Sequence, residues 1–356
     1  MPNSLPPILH LLGSDSTWEE TTFVFSLVRR LVALGVSAAL AVPVDSPAWL
    51  AAEDQPFPRH PLRESSRFNL PGRHRLTRIL ARAFTTPPIL HAHGGQAALT
   101  LTQAWLPRNR PRLVSIYRPE LSPTLPPDFR RFCAVADSAA GRFLAAASDT
   151  EEARQALGRR EELREELAQT TSRDREKTLF ILATLPLGEG VLAAFAELSR
   201  RLPHCHLLLT GRTDLAPSSA ILRGLGLEGS VSILPPPTAL LPLMASIDLY
   251  LAAGNDSGAG IVLRAAAATG RAVLAAPAHP LAPLLASLPG ALTREGEAEV
   301  VWRDAMESLL DDGAGRERQG HLMAGTRLGM GLATVVDELL EEYRLLAGGE
   351  EVKKEG

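Results

Sequence analysis

Lysine is almost absent from this chain of 356 residues. Lys177, Lys353 and Lys354 are the only ones, so arginine supplies nearly all of the 37 basic side chains. An anion bound between Thr178 and Val352 must therefore be met by Arg, His or backbone N–H groups. The formal net charge of -3 leaves no basic surplus for nucleic acid and no polybasic segment for anionic lipid. Cysteine is scarce too. Cys133 and Cys205 stand alone, outside any CxxC spacing, which excludes a disulfide framework and suits small buried residues in a reducing compartment. His204 and His206 flank Cys205, but they alternate at a strand start without further ligands, so no metal site is expected there. No apolar run of about 18 residues spans a membrane. The opening MPNSLPPILHLLG has no basic segment and only a short apolar run, unlike a signal peptide. The expectation is a cytoplasmic protein with no nucleic-acid partner, no cofactor and no transmembrane segment.

What is present is strand–helix alternation on both sides of a charged stretch. Apolar residues make up 45% of the chain, enough for two cores at this length. Ile8 to Leu12 reads as a strand, Thr21 to Leu34 as an amphipathic helix stopped by Gly35, and Ala38 to Val42 as a second strand. This βαβ opening implies a parallel sheet. Proline-rich loops run from Pro43 to Pro71, followed by a basic helix over Arg73 to Ala83. ILHAH is a short buried strand turned by Gly94 and Gly95 into a helix from Gln96. Strands over Leu113 to Tyr117 and Phe132 to Ala136 follow, then a helix over Ala139 to Ala147 capped by Asp137-Ser138. Asp149 to Lys177 is dense in charge and suits a solvated helix and a linker. Alternation then resumes as a second doubly wound unit: strands in TLFILATL, HLLLTG, SVSILP, DLYLAAG and AVLAAP, with NDSGAG opening a helix at Ile261. The expected domains are 1–148, a linker over 149–177, 178–330, and a final helix and tail over 331–356. Leu332, Val335, Val336, Leu339, Leu340 and Tyr343 recur at helical spacing, an apolar stripe expected to pack on the first domain.

The segment SGAGIVLRAAAATGRAVLAAP resembles the donor-site signature of family 4 glycosyltransferases, with Gly258, Gly260, Gly270, Val273 and Ala275 in register. HLLLTGRTD resembles that family's strand and glycine turn, with Gly211 and Arg212. ILHAHGGQAAL resembles its H-x-H-G element, and FCAVADSAAGRFL the strand and helix that follow. The resemblance covers most of the chain. It implies an α/β protein of the GT-B fold: two Rossmann-like domains facing across a cleft, the C-terminal helix returning to the first. It also implies a nucleotide-sugar donor on the second domain and an acceptor, of unknown identity, on the first. Glycines at a helix start let a diphosphate approach free N–H groups, and Gly258, Ala259, Gly260 and Ile261 would supply them. A bare strand-to-helix turn is the other reading of the same residues.

The sequence also departs from the family. The glutamate expected on the donor sugar falls on Ser257, with Asp256 one residue early. The glutamate expected on the ribose falls on Ala265, and Arg264 points about 100° round the helix. The arginine and lysine expected on the diphosphate are missing: Thr184 stands for the arginine, and Arg212 is a substitute or a solvated loop residue. In the first loop, GSDSTWEE, Trp18 fills space and Glu19 and Glu20 would repel a diphosphate. His93 is the best retained catalytic-region residue, or else a strand-end histidine bonded to backbone; Tyr117 and Arg118 are further candidates for polar work. His91 is expected to point into the opposite packing layer. Three readings follow: a retaining, metal-independent glycosyltransferase with a divergent site; an inactive GT-B protein that binds or scaffolds another protein; and a sugar-nucleotide epimerase, which would need acids and bases the sequence does not show.

Overall fold

The computed structural model describes residues 5–62, 70–104, 106, 110–116, 130–133, 142–143, 149–211, 216–217, 219–236, 239–253, 260–277, 279, 282–286, 288–292, 299–325 and 331–348. The chain divides into two compact units, Met1–Ala146 with Leu332–Gly356, and Ala147–Gly331. Each holds one parallel sheet.

The first sheet has the order β3-β2-β1-β4-β5-β6-β7. Its strands are β1 (Ile8–Leu12), β2 (Ala38–Pro43), β3 (Arg59–Leu62), β4 (Ile89–His93), β5 (Arg112–Ile116), β6 (Arg130–Cys133) and β7 (Arg142–Phe143). The order reverses direction between β1 and β4, the switch point at which doubly wound sheets open a crevice at their strand ends. Side chains alternate along each strand. Leu9, Leu11, Leu90, Ala92 and Val114 face one layer, with Leu76, Ile79 and Leu80 of α3 (Leu70–Ala83) and Ala97, Ala98 and Leu101 of α4 (Gly95–Gln103). The opposite layer holds α1 (Trp18–Ala33) and the chain's last helix, α14 (Leu332–Gly348), which packs on α1 and β4. Leu332, Val335, Val336, Leu339, Leu340 and Tyr343 are all buried, so the apolar stripe of α14 serves the first unit.

Several local expectations are corrected. Helix α1 begins at Trp18, three residues before Thr21, because TWEE is a capping box: the Thr17 hydroxyl accepts from Glu20 N, and the Glu20 carboxylate accepts from Thr17 N at 2.9 Å. Glu20 is thus committed to the helix start instead of facing a diphosphate. The segment expected as plain loop holds α2 (Pro47–Ala51), capped by the Ser46 hydroxyl with Pro47 in its first turn, and edge strand β3. Arg142–Phe143 pairs in parallel with β6 and extends the sheet edge, where a helix was expected. The remaining residues of that helix lie outside the described ones.

The second sheet, β10-β9-β8-β11-β12, repeats the plan. Its strands are β8 (Leu179–Thr184), β9 (Cys205–Thr210), β10 (Val231–Leu234), β11 (Leu249–Ala252) and β12 (Ala272–Ala275). One face packs on α7 (Glu189–Arg201), α8 (Ser219–Gly224) and α12 (Glu299–Asp311) through Ile181, Ala183, Leu207, Leu209, Leu249 and Leu251. Elsewhere in the unit lie α9 (Leu240–Ser246), α10 (Ile261–Ala268), α11 (Ala282–Leu285) and α13 (Gly313–Ala324). The charged stretch after Asp149 forms α5 (Thr150–Gly158) and α6 (Arg160–Thr171), both packed on α9. Arg164 of α6 is buried; its guanidinium donates to Asp248, Ser246 O and Thr178 O, all at 2.9 Å. Asp248 also accepts from Phe180 N at 2.9 Å and pairs with Arg160 at 3.2 Å, so one carboxylate ties α6 to the starts of β8 and β11. At the sheet edge the Gln319 amide oxygen accepts from Val273 N at 2.8 Å, giving β12 a partner from α13. Among the described residues no helix is long and apolar enough to cross a membrane.

Candidate functional site

The first unit gathers its polar chemistry at the β1/β4 switch point. His10 and His91 are register partners in the parallel pair, and His93 lies opposite Leu12. Residues two apart on a strand share a face, so His91 and His93 point to the same side, and His10 joins them from β1. The expectation that His91 lies in the opposite layer is corrected by this period. The ring centroids are 4.1 Å apart for His91 and His93, and 5.2 Å for His10 with each of the others. All three side chains are fully buried on the face covered by α1 and α14.

Their hydrogen bonds are specific. His10 Nδ1 and His93 Nε2 share a bond of 2.9 Å. His91 Nδ1 lies 2.6 Å from the Tyr343 hydroxyl, and its Nε2 lies 2.7 Å from the Ser115 hydroxyl. A neutral imidazole has one donor and one acceptor, so one hydroxyl donates to His91 and the other accepts from it. Burial keeps the rings neutral. It pulls His10 down to about 3, and it holds His91 and His93 well below the ordinary imidazole range, with the neighbouring rings adding to the effect. Burial also raises the Tyr343 phenol well above its usual value. His93 is therefore a neutral group at the end of β4.

Next to it the chain turns at Gly94, whose φ of 84° favours glycine, into α4. Gly94 brings no side-chain cap; instead the Asp15 carboxylate accepts from Gln96 N at 3.2 Å. Gly13 makes room for this: a Cβ there would come within 2.5 Å of Asp15 Oδ1 and 2.9 Å of Gln96 Cβ. The first loop is thus fastened to the start of α4 by its own carboxylate.

In the second unit the switch point lies between β8 and β11. Strand β11 leads into α10, whose N-cap is Gly260 in the left-handed region, φ 56°, ψ 36°, with no side chain to cap the helix. Ile261 and Ala265 are buried in α10, as is Arg264, whose ionisation burial lowers to about 10. Gly211 ends β9 at φ 125° and packs against the backbone of Leu185, where an added Cβ would lie 3.4 Å from Leu185 N. Thr184, in the family's arginine position, is buried with its hydroxyl 3.5 Å from that of Tyr250. Tyr117, Arg118, Arg212, Asp256, Ser257, Gly258 and Ala259 lie outside the described residues.

Sequence reasoning missed four members of the first site. His10 sits in a strand that reads as apolar, and Tyr343 counted only toward a helix stripe. Ser115 and Asp15 gave no motif. Register between β1, β4 and β5 brings in His10 and Ser115, and helix docking and a loop bring in Tyr343 and Asp15; one chain's periodicity discloses none of this. The sequence also gave no metal-ligand array, whereas the fold brings His10, His91 and His93 together with ligand atoms all within 4.8 Å of one another. His206 does not join them: its Nδ1 accepts from Arg173 Nε at 3.0 Å and its Nε2 pairs with Ser232 at 2.9 Å. Cys205 is buried on the other face, its thiol pushed up to about 12 by burial.

No family model and no curated protein matches the chain. Solved structures do. A glycosyltransferase from Rickettsia africae matches 97% of this chain and 99% of its own at 13% identity, with a TM-score of 0.71. Anabaena HepE, solved with UDP and glucose, matches 95% and 99% at 14% identity, with a TM-score of 0.71. A UDP-GlcNAc 2-epimerase from Neisseria meningitidis, bound to UDP-GlcNAc, matches 95% and 99% at 13% identity and a TM-score of 0.64. These likenesses show the GT-B fold over nearly the whole chain.

Proposed function

We propose that the chain is a divergent nucleotide-sugar-dependent glycosyltransferase of the family 4 type. The observation that carries this reading is the start of α10 at Gly260, a residue with no side chain to cap the helix, at the switch point of the second sheet, within a chain that matches over 95% of its length a GT-B structure solved with UDP and glucose. In this reading the donor diphosphate rests on the amides of Gly258, Ala259, Gly260 and Ile261, with Gly211 and Arg212 beside it. Helix-end N–H groups stabilise the charge that develops on the leaving diphosphate. Tyr117, Arg118 and His93 belong to the acceptor side, and sugar transfer proceeds with retention.

The proposed site lacks two carboxylates. Ser257 and Ala265 stand where the resemblance places bonds to sugar and ribose, and Asp256 offers a partial substitute for the first. A hydrogen bond to a charged group contributes about 1.5–3 kcal/mol, so the missing ribose bond weakens donor binding by about 10- to 150-fold. The test is release of nucleoside diphosphate from a panel of UDP- and GDP-sugars. Slow release from one donor, faster in Ser257→Glu, is expected. Absence of release from every donor by both proteins points to a scaffold that keeps the fold and has lost the chemistry.

A further inference from the structure

We infer that His10, His91 and His93 form a binding site for one borderline divalent transition-metal ion of the zinc class. This goes beyond glycosyl transfer and holds whether or not the chain transfers sugar.

Three observations converge on it. The first is geometric. An H-x-H pair on β4 and a histidine on the adjacent β1 present three imidazoles to one side of the sheet, with one ring nitrogen of each within 4.8 Å of the others. Nitrogens bound to a tetrahedral zinc ion at 2.0–2.1 Å stand about 3.3 Å apart, so each need move by only about 1 Å. The second is an orphan. His10 Nε2 is fully buried and has no hydrogen-bond partner among the described residues. A buried polar atom left so is costly, and a cation would satisfy it after a turn of the ring. The third is the supporting layer. A metal-bound histidine is oriented by what its second nitrogen bonds. His91 has a hydroxyl on each nitrogen, Tyr343 and Ser115, so either nitrogen can take the ion while the other keeps its partner.

The donor set selects the ion. Three imidazoles and no carboxylate suit zinc, cobalt, nickel or copper and not magnesium or calcium, which need oxygen ligands. With a water completing its tetrahedron, the ion would fix β1 and β4 together and set the ring of His93 at the strand end.

The probe is Co(II), titrated into untagged protein stripped by a chelator. One equivalent per chain is expected, with the visible absorption of tetrahedral cobalt, displaced by Zn(II). His10→Leu should reduce affinity by at least 100-fold while far-UV circular dichroism stays that of the parent. Where that variant does not fold, Ser115→Ala and Tyr343→Phe carry the test, and at least one should weaken binding by about 10- to 100-fold. Absence of visible bands with no zinc retained, cobalt binding unchanged in folded His10→Leu, or binding unchanged in both hydroxyl variants would each overturn the site.

Discussion

Removing a single oxygen from Tyr343 probes how the last helix is held. Tyr343 of α14 and His91 of β4 are 252 residues apart in sequence, and both are fully buried. Their 2.6 Å hydrogen bond joins the chain's end to the middle of the first sheet. Tyr343→Phe keeps the ring and its packing on His10 and His91, and takes away only the partner of His91 Nδ1. Leaving a buried polar atom unsatisfied costs about 1–3 kcal/mol, against about 1 kcal/mol for an ordinary net bond. Urea denaturation in the presence of chelator, followed by tryptophan fluorescence, should therefore show a loss of about 1–3 kcal/mol. The same change made in His91→Leu should cost almost nothing, because the phenol oxygen is then itself the orphan. The coupling between the two sites should reach about 0.5–3 kcal/mol. A loss in Tyr343→Phe below about 0.5 kcal/mol, or equal losses in both backgrounds, would refute this bond as the tie between α14 and β4.

Two further outcomes follow from the second unit. Arg164→Ala leaves the Asp248 carboxylate and the carbonyls of Ser246 and Thr178 short of a buried partner, and should cost about 3–5 kcal/mol. Arg160→Ala, whose side chain is 31% exposed, should cost about 1 kcal/mol or less, and equal losses in urea melts would contradict this division. His206 is held down to about 4, by burial first and the Arg173 charge second. A folded pKa below the unfolded 6.5 means its contribution is complete above pH 6.5 and lost as pH falls toward 4. That loss is on the order of 3 kcal/mol, and His206→Asn should flatten this part of the stability profile; an unchanged slope would remove His206 as its source.

The sheets were legible because their strands are short, apolar and bounded by glycine and proline, and the GT-B reading followed from their order and the glycine turn before Ile261. Local signals that were overlooked were nonetheless present: Thr17 to Glu20 spells a capping box, and Ser46-Pro47 spells a helix start. The histidine cluster was not legible in the same way. His91-x-His93 was visible as a motif, but its third member depends on Ile8 pairing with Ile89 and its fourth partner on a helix at the far end of the chain. Long-range register and docking decide such sites, and neither leaves a periodic trace in one sequence. The same holds for Arg164, which reads as one charge among many until α6 docks and buries it.

The proposed function requires that the GT-B fold here still bind a nucleotide sugar. Calorimetric titration of the chain with UDP, GDP and their sugars tests it most directly. One site per chain for one nucleotide sugar is expected, weaker than micromolar, with affinity for that sugar nucleotide rising about 10-fold or more when Ser257→Glu restores the carboxylate on the sugar. Heat of binding from no nucleotide, in either the parent or the variant, would contradict it.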